Sequence, residues 1–163
     1  MSTSSLTKEQ ALQKLRHYCA YQERSHKEVK EKLYSFGLYK QETEQAIAQL
    51  IEEGYLNEER FAIQFAGGKF RMKQWGKVKI RYELKLRQVS DYCIKKALQQ
   101  IDEEAYQQTL EKEAEQRWEQ LRGEKNIFTK KRKLQDYLLQ KGFESDRVVD
   151  MVKSRGGSRQ GES

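Results

Sequence analysis

Apolar residues recur along most of this chain at spacings of three and four, which is the period of an amphipathic α-helix. Helix-start signals stand before several of these runs: residues 7–10 (TKEQ) and 25–28 (SHKE) both have the capping-box pattern. Gly37, Gly54 and Gly142 each follow an amphipathic run, where a left-handed C-terminal cap favours glycine. The sequence contains no proline, a residue that breaks helix interiors. The pattern therefore predicts an all-α protein.

Short connections separate the predicted helices. Ser90 and Ser145 are interpreted as N-caps, as is Asn57 before the sequence EERFA. The nine predicted helices span residues 8–22, 26–36, 42–53, 58–74, 77–87, 91–101, 103–122, 128–141 and 146–154.

Three stretches of the chain share one pattern of apolar residues. They read VKEKLYSFGL (29–38), IRYELKLRQV (80–89) and LQDYLLQKGF (134–143). Each has an apolar residue, a second one four positions later and a third five positions after that, and the register continues downstream. Leu33, Leu84 and Leu138 hold the equivalent central position, at offsets of 51 and 54 residues. The agreement indicates an internal repeat of three-helix units, each roughly 50 residues long.

One such unit cannot bury its apolar face alone, so neighbouring copies must pack on one another. We therefore predict three tandem three-helix repeats, helix-turn-helix-like, in an elongated and curved array, and a monomeric protein. The predicted segments are a disordered N-terminus (1–7), repeat 1 (8–56), repeat 2 (57–102), repeat 3 (103–154) and a disordered C-terminal tail (155–163). A charged fraction of 35% fits an array of thin units with much exposed surface.

One segment carries a charge equal to that of the whole chain. Residues 68–87 contain eight Lys or Arg residues and a single acid, Glu83, so their net charge is the +7 of the full sequence. A second basic run, residues 125–133, has a net charge of +5. Solvated helix faces usually mix both signs, so we favour an anionic partner; a solvated surface stays the alternative.

Aromatic residues lie among the cations of the first run, and such rings can stack on nucleic-acid bases. For Phe70, packing between repeats is the preferred interpretation, whereas for Trp75 the two interpretations are close. The candidate binding residues are Lys69, Arg71, Lys73, Trp75, Lys77, Lys79, Arg81, Lys85, Arg87, Lys130, Lys131, Arg132 and Lys133.

The sequence does not favour an enzyme, a cofactor or a metal site. No histidine stands near a plausible nucleophile, and the GGK at residues 67–69 lacks the full phosphate-loop pattern. Cys19 and Cys93 are far apart without metal-ligand spacing, so we interpret them as reduced thiols. There is no signal-peptide pattern and no run near the ~18 apolar residues of a membrane span, so we expect a cytoplasmic protein that does not contact membranes.

Two motifs carry a resemblance to a known family. GYLNEERFA at residues 54–62 and KQWGKVKIRYELKLRQV at residues 73–89, set within the three-fold repeat, closely resemble the bacterial RecX regulatory proteins. The resemblance extends from about Ala11 to Lys153, and it is more generic in the third repeat. Gly67 and Gly68 stand where many relatives carry a longer aliphatic and basic run.

The resemblance implies a non-enzymatic regulator of the RecA recombinase, acting in DNA repair, recombination and the SOS response. Such a protein would bind the RecA filament on single-stranded DNA, lie in its helical groove and restrain ATP hydrolysis, strand exchange and co-protease activity. The candidate cations would then face the phosphates or the acidic surface of that filament. Two alternatives stay open: a general nucleic-acid-binding helical repeat protein without a recombinase partner, and a scaffold for an acidic protein without nucleic-acid affinity.

Overall fold

The computed structural model describes residues 6–155, and this range contains nine α-helices and no β-strand. The helices are α1 (Lys8–Tyr21), α2 (His26–Ser35), α3 (Lys40–Glu52), α4 (Glu58–Lys73), α5 (Lys77–Leu86), α6 (Asp91–Gln99), α7 (Glu103–Gln120), α8 (Ile127–Gln140) and α9 (Ser145–Lys153). The predicted all-α fold is confirmed, and every helix begins and ends within two residues of its predicted bounds.

Most of the two tails predicted to be disordered lies outside the described residues. The few tail residues that are described make contacts with the helices. The Leu6 N–H donates to the Phe36 carbonyl at 3.0 Å, and the Arg155 guanidinium pairs with Glu115.

The helix starts follow from local side-chain chemistry. Thr7 and Ser25 each accept the backbone N–H three residues ahead, at 3.1 and 3.0 Å, and both capping boxes are complete. Asn57 accepts the Arg60 N–H at 2.8 Å, and the Ser90 hydroxyl accepts a backbone N–H at 3.3 Å. These four predicted caps are therefore confirmed.

The predicted cap at Ser145 is wrong, because α9 begins at Ser145 itself and Glu144 is its N-cap residue. Glu144 has the extended backbone of an N-cap, with φ −64° and ψ 141°, yet its side chain does not cap the helix. Its carboxylate instead accepts the hydroxyl proton of Tyr106 at 2.6 Å. A contact between residues distant in sequence has replaced the local cap.

The turn after the second helix of each repeat has the same backbone conformation in all three copies. Gly37, Gln88 and Gly142 occupy equivalent positions, and their φ angles are +91°, +61° and +99°. Positive φ favours glycine because it has no Cβ to clash with the backbone. In the second repeat this position is Gln88, which adopts the left-handed conformation although its Cβ makes that conformation unfavourable.

The repeated apolar positions are buried, as predicted. Leu33, Leu84 and Leu138 have no solvent-exposed surface. Their equivalents four residues earlier and five residues later are buried as well, namely Val29, Ile80, Leu134, Leu38, Val89 and Phe143. This common buried face confirms that the chain is built from tandem copies of one three-helix pattern.

The chain divides into two compact units. Unit 1 comprises the residues up to Phe65 together with Glu83–Ala97, and unit 2 comprises Ala66–Tyr82 together with the residues from Leu98 onward. Helices α1, α2 and α3 pack on one another within unit 1, and α7, α8 and α9 do so within unit 2. Helices α4, α5 and α6 each contribute residues to both units, so the repeat bounds 8–56, 57–102 and 103–154 remain a proposal from the sequence.

Candidate nucleic-acid interface

In unit 2, the turn between α4 and α5 lies directly against the turn between α8 and α9. The Gly76 N–H donates to the Lys141 carbonyl at 2.8 Å, and the Val78 N–H donates to the Gly142 carbonyl at 2.9 Å. A Cβ added to Gly76 would lie 2.3 Å from the carbonyl oxygen of Gly142. Glycine at these positions therefore permits a backbone contact that a side chain would block.

A buried tyrosine completes the start of α5. The first N–H groups of a helix need partners, and Gly76 offers no capping side chain. The Lys77 N–H donates to the Tyr106 hydroxyl at 2.8 Å, and that hydroxyl donates to Glu144 at 2.6 Å. Burial, and then the hydrogen bond to Glu144, raise the pKa of Tyr106 well above its usual value. The beginning of the basic helix is thus fixed by contacts with α7 and with the turn after α8.

The aromatic core of unit 2 surrounds the same tyrosine. The ring centroid of Phe70 lies 5.8 Å from that of Tyr106, and the ring of Phe143 lies 5.5 Å from it on the same measure. All three side chains are buried. Phe70 is therefore a packing residue, which agrees with the interpretation preferred from the sequence.

Trp75 lies close to two of the candidate cations. The ammonium groups of Lys69 and Lys79 are 5.1 and 4.6 Å from its ring centroid. All three side chains are half-buried. A cation–π contact orients an ammonium group but leaves its positive charge in place. Trp75 and its two lysines therefore form one positively charged group, and stacking of Trp75 on a base stays a prediction.

Two more candidate cations lie over aromatic rings in unit 2. The Lys77 ammonium is 4.7 Å from the ring centroid of Tyr106, and the Lys130 ammonium is 4.0 Å from that of Trp118. The sequence places Lys77 and Arg81 on one helical face because they are four residues apart. In the structure Arg81 is exposed, whereas Lys77 is half-buried against Tyr106.

Three candidate cations are partly neutralised by carboxylates. Ion pairs on the surface add little stability, but they reduce the charge offered to a partner. The pairs and their N–O distances are Lys85–Asp91 (3.0 Å) and Arg87–Glu83 (2.9 Å) in unit 1, and Lys133–Glu124 (3.1 Å) in unit 2. The Arg87 guanidinium also lies 4.7 Å from the ring centroid of Phe65.

The remaining candidates carry uncompensated charge. Among the described residues, none of them is in an ion pair with a carboxylate. They are Arg71, Lys73, Arg81, Lys131 and Arg132; all are exposed except Lys131, which is half-buried. These five cations, all in unit 2, are the part of the predicted site best suited to contact phosphate groups.

The two basic runs do not merge into one cluster. Lys130–Lys133 lie in the first turns of α8, whereas the turn that contacts Gly76 follows its last residue. Since a helix rises about 1.5 Å per residue, roughly 13 Å of helix axis separate them. Unit 2 therefore presents two separate positive regions.

Two contributors to this region were missed by the sequence interpretation. Tyr106 caps α5, and the Lys141 ammonium donates to the Lys73 carbonyl at 2.7 Å, close to the end of α4. Their partners lie 29 and 68 residues away in sequence, so no local spacing identifies them. The one sequence feature that could have indicated a contact between the two turns is the glycine next to a lysine in both WGK (75–77) and KGF (141–143).

Residues 6–155 lack the features of two other kinds of site. No helix in this range combines the length and the apolar character needed to cross a membrane. The same range holds no group of three or more His, Cys, Asp or Glu side chains arranged to bind a metal ion.

Comparison with known proteins identifies the family. Residues 57–98 match the family model described as the second three-helix domain of RecX, and residues 103–149 match the model of its third three-helix domain. A protein named regulatory protein RecX from Prosthecochloris aestuarii is 30% identical over 148 residues, which cover 91% of this chain and 93% of that relative. The chain belongs to the RecX family.

Other RecX relatives extend beyond the matched region. A regulatory protein RecX from Clostridium perfringens is 32% identical over 131 residues, and one from Clostridium botulinum is 31% identical over 131 residues. Each match covers 80% of this chain but 61% of the relative, so the chain spans about three fifths of the length of these RecX proteins.

Solved RecX structures have the same fold. A crystal structure of a regulatory protein RecX superposes with a TM-score of 0.81 at 20% identity, covering 95% of this chain and 81% of that one. RecX from Lactobacillus salivarius superposes with a TM-score of 0.80 at 21% identity, covering 90% and 95%. The RecX likeness confirms the all-α repeat fold.

Proposed function

We propose that this chain is a non-enzymatic regulator that binds the RecA filament on single-stranded DNA and lowers the recombinase's ATP hydrolysis, strand exchange and co-protease activity. Membership of the RecX family, whose named relatives are regulatory proteins, is the observation that carries the proposal. The specific target is the one implied by the resemblance of the two motifs at residues 54–62 and 73–89.

The charge distribution of unit 2 supports an anionic partner. Arg71, Lys73 and Arg81 lie at the end of α4 and along α5, and none is neutralised by a carboxylate within the described part of the chain. Cations of this kind release counterions when they contact phosphates, which favours binding to nucleic acid. The contacts of Gly76 and Tyr106 hold the start of α5 in place, so the backbone that carries Arg81 needs little ordering on binding.

The proposed mechanism is occupancy of the filament groove. A filament presents several adjacent copies of each recombinase surface, whereas a free protomer presents one. A regulator with more than one binding region gains effective concentration on the filament once the first region is bound. Bound along the groove, it would link neighbouring protomers or obstruct the second DNA.

The deciding experiment measures ATP turnover by RecA on single-stranded DNA. The regulator is added after saturating recombinase has coated the DNA, so that competition for bare DNA does not contribute. Turnover should fall as the protein is added. A triple variant, Arg71→Ala, Lys73→Ala and Arg81→Ala, should inhibit less, and Lys133→Ala should inhibit like the unaltered chain because Lys133 is already paired with Glu124.

Neither alternative predicts a fall in turnover, and binding to bare and to coated strands, measured alongside, separates the two. A general nucleic-acid-binding protein would bind bare single strands and leave turnover on the coated strand unchanged. A scaffold for an acidic protein would bind neither bare nor coated strands. Either result would overturn the proposed function.

A further inference from the structure

A groove in unit 1, outside both basic runs, is lined by cations and aromatic rings. Its volume is about 500 Å³, which falls in the range of roughly 300–1,000 Å³ usual for small-molecule sites. Its lining includes Lys14, Tyr18 and Tyr21 from α1, Arg24 from the connection to α2, and Lys32 and Phe36 from α2 and its C-cap. The sequence interpretation assigned no role to these residues.

Contacts within the groove hold its cations near the aromatic rings. The Arg24 guanidinium carbon lies 3.7 Å from the ring centroid of Tyr18, and its Nε donates to the Tyr18 carbonyl at 2.9 Å. The Lys32 ammonium lies 5.3 Å from the Tyr18 centroid and 5.9 Å from that of Phe36. Arg24 is therefore fixed by the backbone, and Lys32 is oriented by two rings.

The groove concentrates positive charge without carboxylates in its lining. Across residues 6–155, Lys14, Arg24 and Lys32 take part in no ion pair. The surrounding repeat is not basic, since residues 1–66 contain nine basic and ten acidic residues. The positive charge is thus a local property of the groove, and it calls for an anionic ligand.

The aromatic residues narrow the class of anion. The Tyr21 side chain is 83% exposed at the rim, so a face of its ring is available to a planar group. A nucleotide combines a planar base, which stacks on aromatic rings, with a phosphate that interacts with lysines. An acidic peptide would form ion pairs with the cations, but it need not contain a planar group to stack on the exposed ring.

We propose that this groove binds a nucleotide, with its base against Tyr21 and its phosphate near Lys14 and Lys32. The nucleotide is either free or one unit of a single strand. The inference does not depend on a recombinase partner, and it concerns a different unit from the five uncompensated cations.

The test uses the full chain and 2-aminopurine deoxyribonucleoside 5′-monophosphate, whose fluorescence is quenched when its base stacks on an aromatic ring. The unaltered protein should quench it saturably. Tyr21→Ala should weaken binding by about tenfold, and so should the double variant Lys14→Ala, Lys32→Ala. Both changes are at exposed side chains, and Arg24 is left intact because it bonds to the backbone.

Matched controls come from the same unit. Tyr39 is 81% exposed and Lys30 is exposed on α2, and neither lines the groove. Tyr39→Ala and Lys30→Ala should bind the probe like the unaltered protein. Equal binding by the groove variants and these controls, both with the monophosphate and with the single-stranded probe described below, would overturn the proposal.

Two further arms identify the source of the nucleotide. The corresponding nucleoside, which lacks the phosphate, should bind more weakly than the monophosphate. A single-stranded hexanucleotide with one 2-aminopurine tests the strand: groove-dependent binding of the strand and not of the monophosphate assigns the site to a strand. The reverse result assigns it to free nucleotide. Groove-dependent binding of an acidic peptide without groove-dependent binding of either nucleotide probe would overturn the assignment.

Discussion

Gly76 and Gly142 meet backbone to backbone, and this contact joins the basic motif WGK to the turn that follows α8. A Cβ on Gly76 would lie 2.3 Å from the Gly142 carbonyl carbon, and a Cβ on Gly142 would lie 2.2 Å from the Cβ of Lys79. The motif identified for its charge therefore also has a packing function. Its glycine lets α5 begin against the turn that follows α8, and its lysine, Lys77, is the first residue of that helix.

The first prediction concerns this contact. Gly76→Ala should lower the free energy of unfolding by about 1–3 kcal/mol, because the added methyl group overlaps rigid backbone. Urea unfolding followed by circular dichroism measures the change.

Gly68→Ala is the matched control for this prediction. Gly68 lies inside α4, and a Cβ there would meet nothing within 4 Å. Alanine at this position should raise the free energy of unfolding by about 0.5–1 kcal/mol, since glycine is a poor helix residue. A neutral Gly76→Ala would show that the two turns separate easily.

The second prediction follows from the repeat. Gln88 has a φ of +61° at the position where the other two copies have Gly37 and Gly142. Gln88→Gly should raise the free energy of unfolding by about 0.5–1 kcal/mol, because it removes the cost of a left-handed side-chain-bearing residue. Gln99→Gly, at the last helical residue of α6, should lower it by a similar amount. If both changes lowered the free energy of unfolding, Gln88 would not be at a position that favours glycine.

Much of the fold could be predicted because its determinants are local. The burial of Leu33, Leu84 and Leu138 follows from helical spacing repeated three times. The caps at Thr7 and Ser25 follow from residues three positions apart. Such features need no knowledge of what packs against the helix, so a single sequence is sufficient.

The sequence could not show in the same way which candidate cations are available to a partner. The sequence groups Lys77 with Arg81, but the structure places the Lys77 ammonium over the ring of Tyr106, 29 residues away. The i,i+4 spacing of Glu83 and Arg87 does indicate their ion pair. The position of the Arg87 guanidinium over the ring of Phe65 depends on tertiary packing, and no local spacing indicates it. Composition located the basic segment, and the fold distinguishes its half-buried cations from its exposed ones and shows which of them lie over aromatic rings.

The third prediction concerns alkaline pH. The Tyr137 hydroxyl donates to Glu113 at 2.8 Å, and burial followed by this bond raises the pKa of Tyr137 to about 12. An unfolded tyrosine loses its proton near a pH of about 10. Above that pH the unfolded state binds fewer protons than the folded state, so the free energy of unfolding falls as pH rises towards 12.

Tyr137→Phe should make this alkaline decline shallower, although the variant is less stable at neutral pH because Glu113 loses a partner. Urea unfolding at several pH values between about 9 and 11.5 gives the slope. Tyr39→Phe, which alters an exposed ring, should leave the slope unchanged. Parallel pH profiles for Tyr137→Phe and the unaltered chain would show that this hydroxyl does not hold its proton more tightly in the folded state.

The fourth prediction compares two arginines of the first basic run. Arg81 is exposed and in no ion pair within the described range, whereas Arg87 is paired with Glu83 and lies over Phe65. If Arg81 contacts phosphate, Arg81→Ala should lower the slope of log K against log salt for single-stranded DNA by up to about 0.7. Arg87→Ala should leave that slope nearly unchanged and lower the stability instead.

Binding to a fluorescent oligothymidine at several KCl concentrations measures both slopes, and thermal unfolding measures stability. The same loss of slope from both variants would show that the ion pair with Glu83 does not withhold Arg87 from DNA. No loss of slope from either variant would show that neither arginine contacts phosphate and that both are solvated.

The last prediction tests binding through more than one region. Removing repeat 3 by truncation near Asp102 is unsuitable, because the residues from Leu98 onward fold together with Ala66–Tyr82 in unit 2. The double variant Lys131→Ala, Arg132→Ala instead removes uncompensated charge from the start of α8. Lys133→Ala is its control, since Lys133 is paired with Glu124.

The double variant should weaken binding to the RecA filament by about tenfold and binding to free recombinase much less, because linked regions gain effective concentration only where several copies are adjacent. Both affinities are measured at one salt concentration, with the recombinase immobilised alone or on single-stranded DNA. Equal weakening of the two would contradict engagement of neighbouring protomers, whatever the effect of the protein on ATP turnover.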